Sequence, residues 1–275
     1  MGKNSRRDFL GKAIVLGSVA ALPLEAFSFQ SEATETPALP SLKGKKILFT
    51  YGGWNGHEPE KFRDYMMAWL KEEGAEALAY SSLDPYTDKP LMNSIDLVMQ
   101  VFTMSSITKE QEKGLLDAIA KNGTGMAGWH GGMCDAFRNN TEYQFMTGGQ
   151  WVAHPGGVID YKVNIRDRND EVTKGLKDFD MHSEQYYMHV DPNVKVLATT
   201  RFNGDIDSWI DGCVIPVTWK KMYGKGRIFF TSVGHNLDHI TKVPEAITML
   251  KRGIQWAGGS KYLPAEKWMS AVYGK

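Results

Sequence analysis

Thr124-Gly125-Met126-Ala127-Gly128-Trp129-His130-Gly131-Gly132 is the stretch that decides the fold. Residues 124–129 form a short run with no polar alternation, the pattern of a strand buried on both faces. It leads directly into a His-Gly-Gly step. Upstream, Ile47-Leu48-Phe49-Thr50-Tyr51 is another such run, and it ends in Gly52-Gly53. After Pro59, at a first-turn position, Phe62, Tyr65, Met66, Trp69 and Leu70 share one helical face. Glu76 to Tyr80 and Ile95 to Phe102 supply two further strands. Thr108 and Gln111 have the spacing of a capping box, which opens a helix burying Leu115, Leu116 and Ile119 before Gly123 ends it. Strands alternating with helices at this spacing predict an α/β protein with a doubly wound, flavodoxin-like, mostly parallel sheet.

Beyond the His-Gly-Gly step the sequence predicts a helix from about Cys134 to Met146. The second half is richer in strands: Val158 to Ile165, Lys195 to Thr200, Cys213 to Trp219 and Gly226 to Val233. The last two flank the turn Tyr223-Gly224-Lys225. A closing amphipathic helix runs from about Pro244 to Trp256. One domain over 45–260 is expected, with a tail over 261–275.

The N-terminus reads as an address. Ser5-Arg6-Arg7-Asp8-Phe9-Leu10 precedes an uncharged stretch from Ala13 to Leu24, the order of a twin-arginine export signal. The apolar stretch is shorter than the about 20 residues a membrane-spanning helix needs. Cleavage near Ala26-Phe27-Ser28, use of the twin-arginine translocase, and a periplasmic or otherwise exported protein without stable membrane insertion are therefore expected. A retained anchor helix is the alternative. Residues 1–30 are assigned to the signal and 31–44, rich in Glu, Thr, Pro and Ala, to a flexible lead-in.

The chain carries 32 basic and 32 acidic residues; setting aside the four basic and two acidic ones among the first 30 leaves 28 against 30. No basic stripe exists to neutralise phosphates, so a nucleic-acid partner is not expected. Cys134 and Cys213 are too few and too far apart for a disulfide framework or a cysteine metal site.

Ligands of open parallel sheets bind beyond the carboxyl ends of the strands. That rule selects the loop Trp54-Asn55-Gly56-His57 after the first strand, Trp129-His130-Gly131 after the fourth, and Gly234-His235 at the end of the last. His154, before Pro155-Gly156-Gly157, and Glu184, in Ser183-Glu184-Gln185-Tyr186, can return to the same edge. His130 stands where an elbow nucleophile stands in related architectures, and an imidazole there is a base or a metal ligand. Three imidazoles with a carboxylate suit zinc or another first-row divalent ion, with His130, His154 and His235 as its candidate ligands. Without a metal, His130, Glu184 and His235 could act as general acid and base. His182, beside Glu184, lies in a cluster that can return to the same edge, and His189 and His239 read as ordinary hydrogen-bonded residues. Trp54, Asn55, His57, Trp129, Gly131, Tyr186 and Trp219 are the candidate substrate contacts, since flat aromatic faces beside polar donors suit sugar rings.

Taken together, these motifs resemble the ThuA-like (trehalose utilisation) family, whose fold is similar to class I glutamine amidotransferase domains. The resemblance rests on the glycine-rich loop closing with His57, Gly128-Trp129-His130-Gly131-Gly132, Gly148-Gly149 followed by His154-Pro155, Ser183-Glu184-Gln185-Tyr186, Pro216-Val217-Thr218-Trp219, and Gly226-Arg227-Ile228-Phe229-Phe230-Thr231-Ser232-Val233-Gly234-His235. It implies a role in carbohydrate metabolism, on a disaccharide or keto-glycoside. It also marks a departure from the amidotransferases, because the elbow is His130 and Cys134 lies a helical turn beyond. The expected chemistry is therefore elimination, isomerisation or hydrolysis of a sugar; a non-catalytic sugar-binding or accessory protein is the competing class.

Overall fold

A computed structural model describes residues 38–266. The export signal, the first part of the lead-in and the end of the tail lie outside the described residues. In chain order the elements are β1 (Lys46–Gly53), α1 (Pro59–Glu72), β2 (Glu76–Tyr80), α2 (Lys89–Ser94), β3 (Leu97–Thr103), α3 (Lys109–Ala120), β4 (Gly125–Trp129), α4 (Gly131–Cys134) and α5 (Thr141–Thr147). There follow β5 (Gly149–Ala153), β6 (Val158–Ile165), β7 (Phe179–Glu184), β8 (Tyr187–Val190), β9 (Lys195–Arg201), β10 (Val214–Tyr223), β11 (Gly226–Thr231), α6 (Leu237–Thr241) and α7 (Pro244–Gly258).

Nine strands form one sheet in the order β2-β1-β3-β4-β11-β10-β9-β6-β7, and β5 pairs with β8 in a separate ribbon. From β2 to β11 every pairing is parallel. Each pairing from β11 through β10, β9 and β6 to β7 is antiparallel. Four reversals restore the original direction, so β7 runs the same way as β4 and β11. Its carboxyl end, Glu184, therefore belongs to the same edge as theirs.

Strand periodicity sorts the core into two layers. Ile47, Phe49, Leu97, Met99, Ala127, Trp129 and Phe229 join Phe62, Met66 and Trp69 of α1 and Met249, Leu250 and Trp256 of α7 on one face. Leu48, Val98, Met126, Ile228 and Phe230 meet Leu115 and Ile119 of α3 and Tyr143 and Met146 of α5 on the other. β3, β4 and β11 are covered on both sides, which is why they read as unbroken apolar runs. α7 lies so close over β11 that a Cβ on Gly253 would come 2.1 Å from the Phe229 ring.

Helix starts follow local chemistry. Pro59 and Pro244 open α1 and α7, and Thr108 and Gln111 make the reciprocal capping box of α3. The helix predicted from Cys134 to Met146 is instead two. The Asn140 side chain accepts from the Tyr143 N–H at 2.9 Å and so starts α5 afresh, while the intervening backbone is claimed by the loop after β3. There Met104 N–H donates to Asp135 O at 2.9 Å and Ser105 N–H to Ala136 O at 2.8 Å.

The described residues on either side of the domain pack against it. Leu42 is fully buried within the first core layer. Tyr262 donates to Asp96 Oδ1 at 2.8 Å, and Trp256 Nε1 donates to Glu266 Oε1 at 2.7 Å. Among the described residues no helix is long and apolar enough to cross a membrane.

Candidate functional site

The end of β4 fixes the centre. His130 has φ 49° and ψ −144°, a backbone conformation that non-glycine residues rarely adopt and that costs on the order of 1–3 kcal/mol. It is over-determined by its surroundings. The His130 N–H donates to Thr231 O of β11 at 2.8 Å. Gln100 Nε2 donates to the Gly132 carbonyl at 3.2 Å and to Tyr143 at 2.7 Å, and the Tyr86 hydroxyl donates to Gln100 Oε1 at 2.9 Å. A buried, satisfied polar network thus holds the sharp turn that presents the imidazole.

His130 Nδ1 lies 2.6 Å from the Ser232 carbonyl oxygen, which can only accept, so Nδ1 carries the proton. Nε2 then faces Glu184 Oε2 at 3.0 Å, and the ring stacks on Tyr186 at 4.0 Å between centroids. His57, from the turn after β1, sits with Nδ1 2.8 Å from Thr103 Oγ1 and Nε2 3.9 Å from Glu184 Oε2. Gly131 makes room for it, because a Cβ there would lie 2.5 Å from His57 Cε1. His235, beyond β11, puts Nδ1 3.1 Å from the same carboxylate oxygen without hydrogen-bond geometry, so this buried nitrogen has no partner.

One ligand atom from each of His57, His130, Glu184 and His235 lies within 4.8 Å of the other three. His154 is set apart. Its Nδ1 is 3.8 Å from the other oxygen, Oε1, and it belongs outside the group of four. The group of four holds His57 where the expected trio had His154: the turn after β1 enters the same edge as His130, whereas His154 follows the end of β5.

Burial dominates the electrostatics. It pushes His130 down to about 3, with Glu184 opposing, and also lowers His57. Burial alone would raise Glu184, but the ring nitrogens of His130, His235 and His57 hold it well below the usual carboxylate range. The arrangement is an ionised carboxylate beside the uncharged imidazoles of His130 and His57.

The other expected contacts divide. Trp54 is exposed, packs edge-on to His57 at 4.8 Å, and is followed by the exposed Asn55. Tyr186 is a buried wall behind His130. Trp129 and Trp219 are core residues and cannot touch a ligand at this edge. Trp129 packs on Phe49 and Phe62, while Trp219 is fully buried against Phe230 and donates to Thr147 O at 2.9 Å. Strand alternation turns both indoles into the layers, whatever motif they adjoin in sequence. His182 pairs with Asp160 on the exposed face of β7, and His189 is exposed on β8. His239 is half-buried, with Nδ1 3.3 Å from Ser183 Oγ.

Thr103, Ser232 and Gln100 were not singled out. Thr103 was detectable as the terminal residue of a strand that runs parallel to the His57 strand. The role of Gln100, in the middle of β3, depends on contacts across the sheet that no local pattern announces.

The fold is an α/β sheet, parallel from β2 to β11, with a strained elbow at the end of β4 that carries an imidazole. Cys134 is buried, and burial pushes its thiol well up. The sequence matches the ThuA family, described as trehalose utilisation, over residues 46–257, and the chain belongs to that family. The family places the protein in a carbohydrate-related role.

Among solved structures, a ThuA-like protein from Bacteroides uniformis ATCC 8492 is similar at 16% identity and TM-score 0.64, covering 82% of this chain and 96% of that one. A ThuA-like protein from Parabacteroides merdae ATCC 43184 is similar at 20% identity and TM-score 0.62, covering 84% and 96%. A cytoplasmic protein from Salmonella typhimurium LT2 is similar at 14% identity and TM-score 0.54, covering 78% and 97%. At these identities the likeness concerns the fold. No curated protein matches the sequence.

Proposed function

We propose that the protein is an exported carbohydrate-processing enzyme that removes a proton next to the ketone of a keto-glycoside and so drives elimination or isomerisation. The observation that carries this reading is Glu184, an ionised carboxylate ringed by imidazoles at the ligand-binding edge of the sheet. Glu184 is the proton acceptor through Oε1, the oxygen on the His154 side, while Oε2 faces His130, His57 and His235. His130 and His57 flank it, and His235 is placed to share charge that develops on the ketone oxygen. In an elimination the protonated Glu184 carboxyl hands the same proton to the departing glycosidic oxygen, which regenerates the carboxylate. Trp54 offers an exposed indole on which the apolar face of a sugar ring can lie. A glycosidase that uses two carboxylates is less well supported, because Glu184 is the one carboxylate in the group. A thiolate at the elbow is ruled out by the identity of residue 130.

Export rests on the twin-arginine pattern of residues 5–10 and is tested by fractionating cells that express the full chain and an Arg6→Lys, Arg7→Lys variant. The chemistry is tested by incubating the protein with oxidised and unoxidised disaccharides and following product by mass. Turnover confined to the keto-sugars is expected, falling by about 10²–10⁴ in Glu184→Gln. Tight sugar binding without product, or equal turnover by Glu184→Gln, refutes the enzymatic assignment.

A further inference from the structure

We propose that His57, His130, Glu184 and His235 hold one divalent first-row cation of the zinc type. The inference stands on geometry and does not depend on which sugar, if any, is turned over. Three imidazoles and one carboxylate converge from four separate strand ends, and Glu184 Oε2 lies 3.0, 3.1 and 3.9 Å from nitrogens of His130, His235 and His57. A tetrahedral zinc with bonds of about 2.0–2.2 Å sets its ligand atoms about 3.4 Å apart. The observed spacings bracket that value, and none of the four ligand atoms is more than 4.8 Å from another.

Hydrogen bonding supplies a second, independent observation. The proton on His130 Nδ1 is committed to the Ser232 carbonyl at 2.6 Å, which leaves Nε2 with a lone pair directed at the group's centre. His57 is anchored in the same manner, its outer nitrogen 2.8 Å from Thr103 Oγ1 and its inner nitrogen turned to Glu184. Outer nitrogens fixed to a carbonyl or hydroxyl while inner nitrogens converge is the arrangement that orients metal-binding histidines. His235 Nδ1 is buried and without a hydrogen-bond partner, although a carboxylate oxygen is 3.1 Å away. An unpartnered buried nitrogen is costly in a protein that offers it nothing, and a cation at the centre satisfies it together with the facing lone pairs.

The donor set is three nitrogens and one oxygen, without thiolate. That selects zinc, cobalt, nickel, iron or manganese over soft monovalent copper, and over calcium, which wants six to eight oxygens. The solvent side of the group is the His235 side, where the imidazole is partly exposed and the neighbouring Trp54 is exposed.

The test uses the folded chain purified without an affinity tag, stripped with a chelator, and reloaded with Zn²⁺ or Co²⁺. About one Zn²⁺ per chain by elemental analysis, and Co²⁺ visible bands more intense than those of the aqueous ion, are expected. Glu184→Gln should abolish stoichiometric binding, and His154→Ala should leave it unchanged. Thr103→Val keeps all four ligands and frees only the outer nitrogen of His57, so affinity should drop about 10–100-fold. Circular dichroism checks that each variant is folded; if Glu184→Gln is not, the parent stoichiometry and Thr103→Val decide. A folded parent that takes up less than half an equivalent of both ions at saturation overturns the proposal. So does a His154→Ala variant that loses the ion while Glu184→Gln keeps it.

Discussion

Replacing Gly131 with alanine perturbs the site by a single methyl group. The new Cβ would lie 2.5 Å from His57 Cε1, 2.8 Å from His57 Nδ1 and 3.0 Å from Thr103 Cγ2. Carbon atoms rest about 3.5–4.0 Å apart, so the His57 ring must retreat by about 1 Å or the α4 backbone must lift. His57 is itself wedged edge-on between Trp54 and His130, at 4.8 and 4.7 Å between centroids, and retreat breaks its contact with Thr103. Overpacking of this kind costs about 1–3 kcal/mol. For a domain of this size that lowers the melting temperature by about 2–12 °C, given roughly 2–4 °C per kcal/mol. Calorimetry of the chelator-treated protein measures the stability change, and a Zn²⁺ titration measures the displacement of the ring. A Gly131→Ala protein that melts with the parent and binds Zn²⁺ equally well would show that His57 is not confined as described, and the reasoning would fail.

Three further outcomes follow from the same contacts. Asp170 is buried, and although burial alone would raise it, Lys220 and Lys195 hold its carboxyl below the usual range. The stabilisation from a depressed carboxyl is complete above its ordinary value of about 3.9 and disappears as pH falls through the lower folded value. Asp170→Asn should thus cost about 3–5 kcal/mol in urea unfolding at pH 7, with the deficit shrinking as the buffer is taken below about pH 4. A deficit of equal size at both pH values counts against that pairing. Trp219→Ala should lose about 3–5 kcal/mol of stability while Zn²⁺ stoichiometry in the folded fraction is kept, since the indole fills core and its N–H serves Thr147. Trp54→Ala should leave the unfolding free energy within about 0.5 kcal/mol of the parent and weaken sugar binding. Unchanged sugar affinity by calorimetry would remove Trp54 from the binding surface.

The parallel half of the sheet was legible because β1, β3 and β4 are buried on both faces and end at glycine or at a turn. β7 was not. Its sequence, Phe179-Asp180-Met181-His182-Ser183-Glu184, alternates apolar with polar, and its place depends on pairing with β6, where Asp160 lies opposite His182. The strand-end rule collected His57, His130, Glu184 and His235, yet it could not separate His154 from them, because their grouping depends on four chain directions at once. Trp129 and Trp219 were drawn toward the ligand by their neighbours in sequence. The pleat sends the Trp129 side chain into one layer while His130, the next residue, is lifted out by its left-handed φ.

The return of β7 to the common edge by four reversals has a consequence for how the site comes into being. His57 and His235 bracket the four groups, so no shorter contiguous fragment contains them all. Glu184 reaches the others only when the antiparallel half has closed onto β11. A bound ion would therefore be a clasp that locks last. Its uptake during refolding would report the moment when both halves of the sheet are joined, and a nicked or truncated chain could be recognised by its failure to take one up.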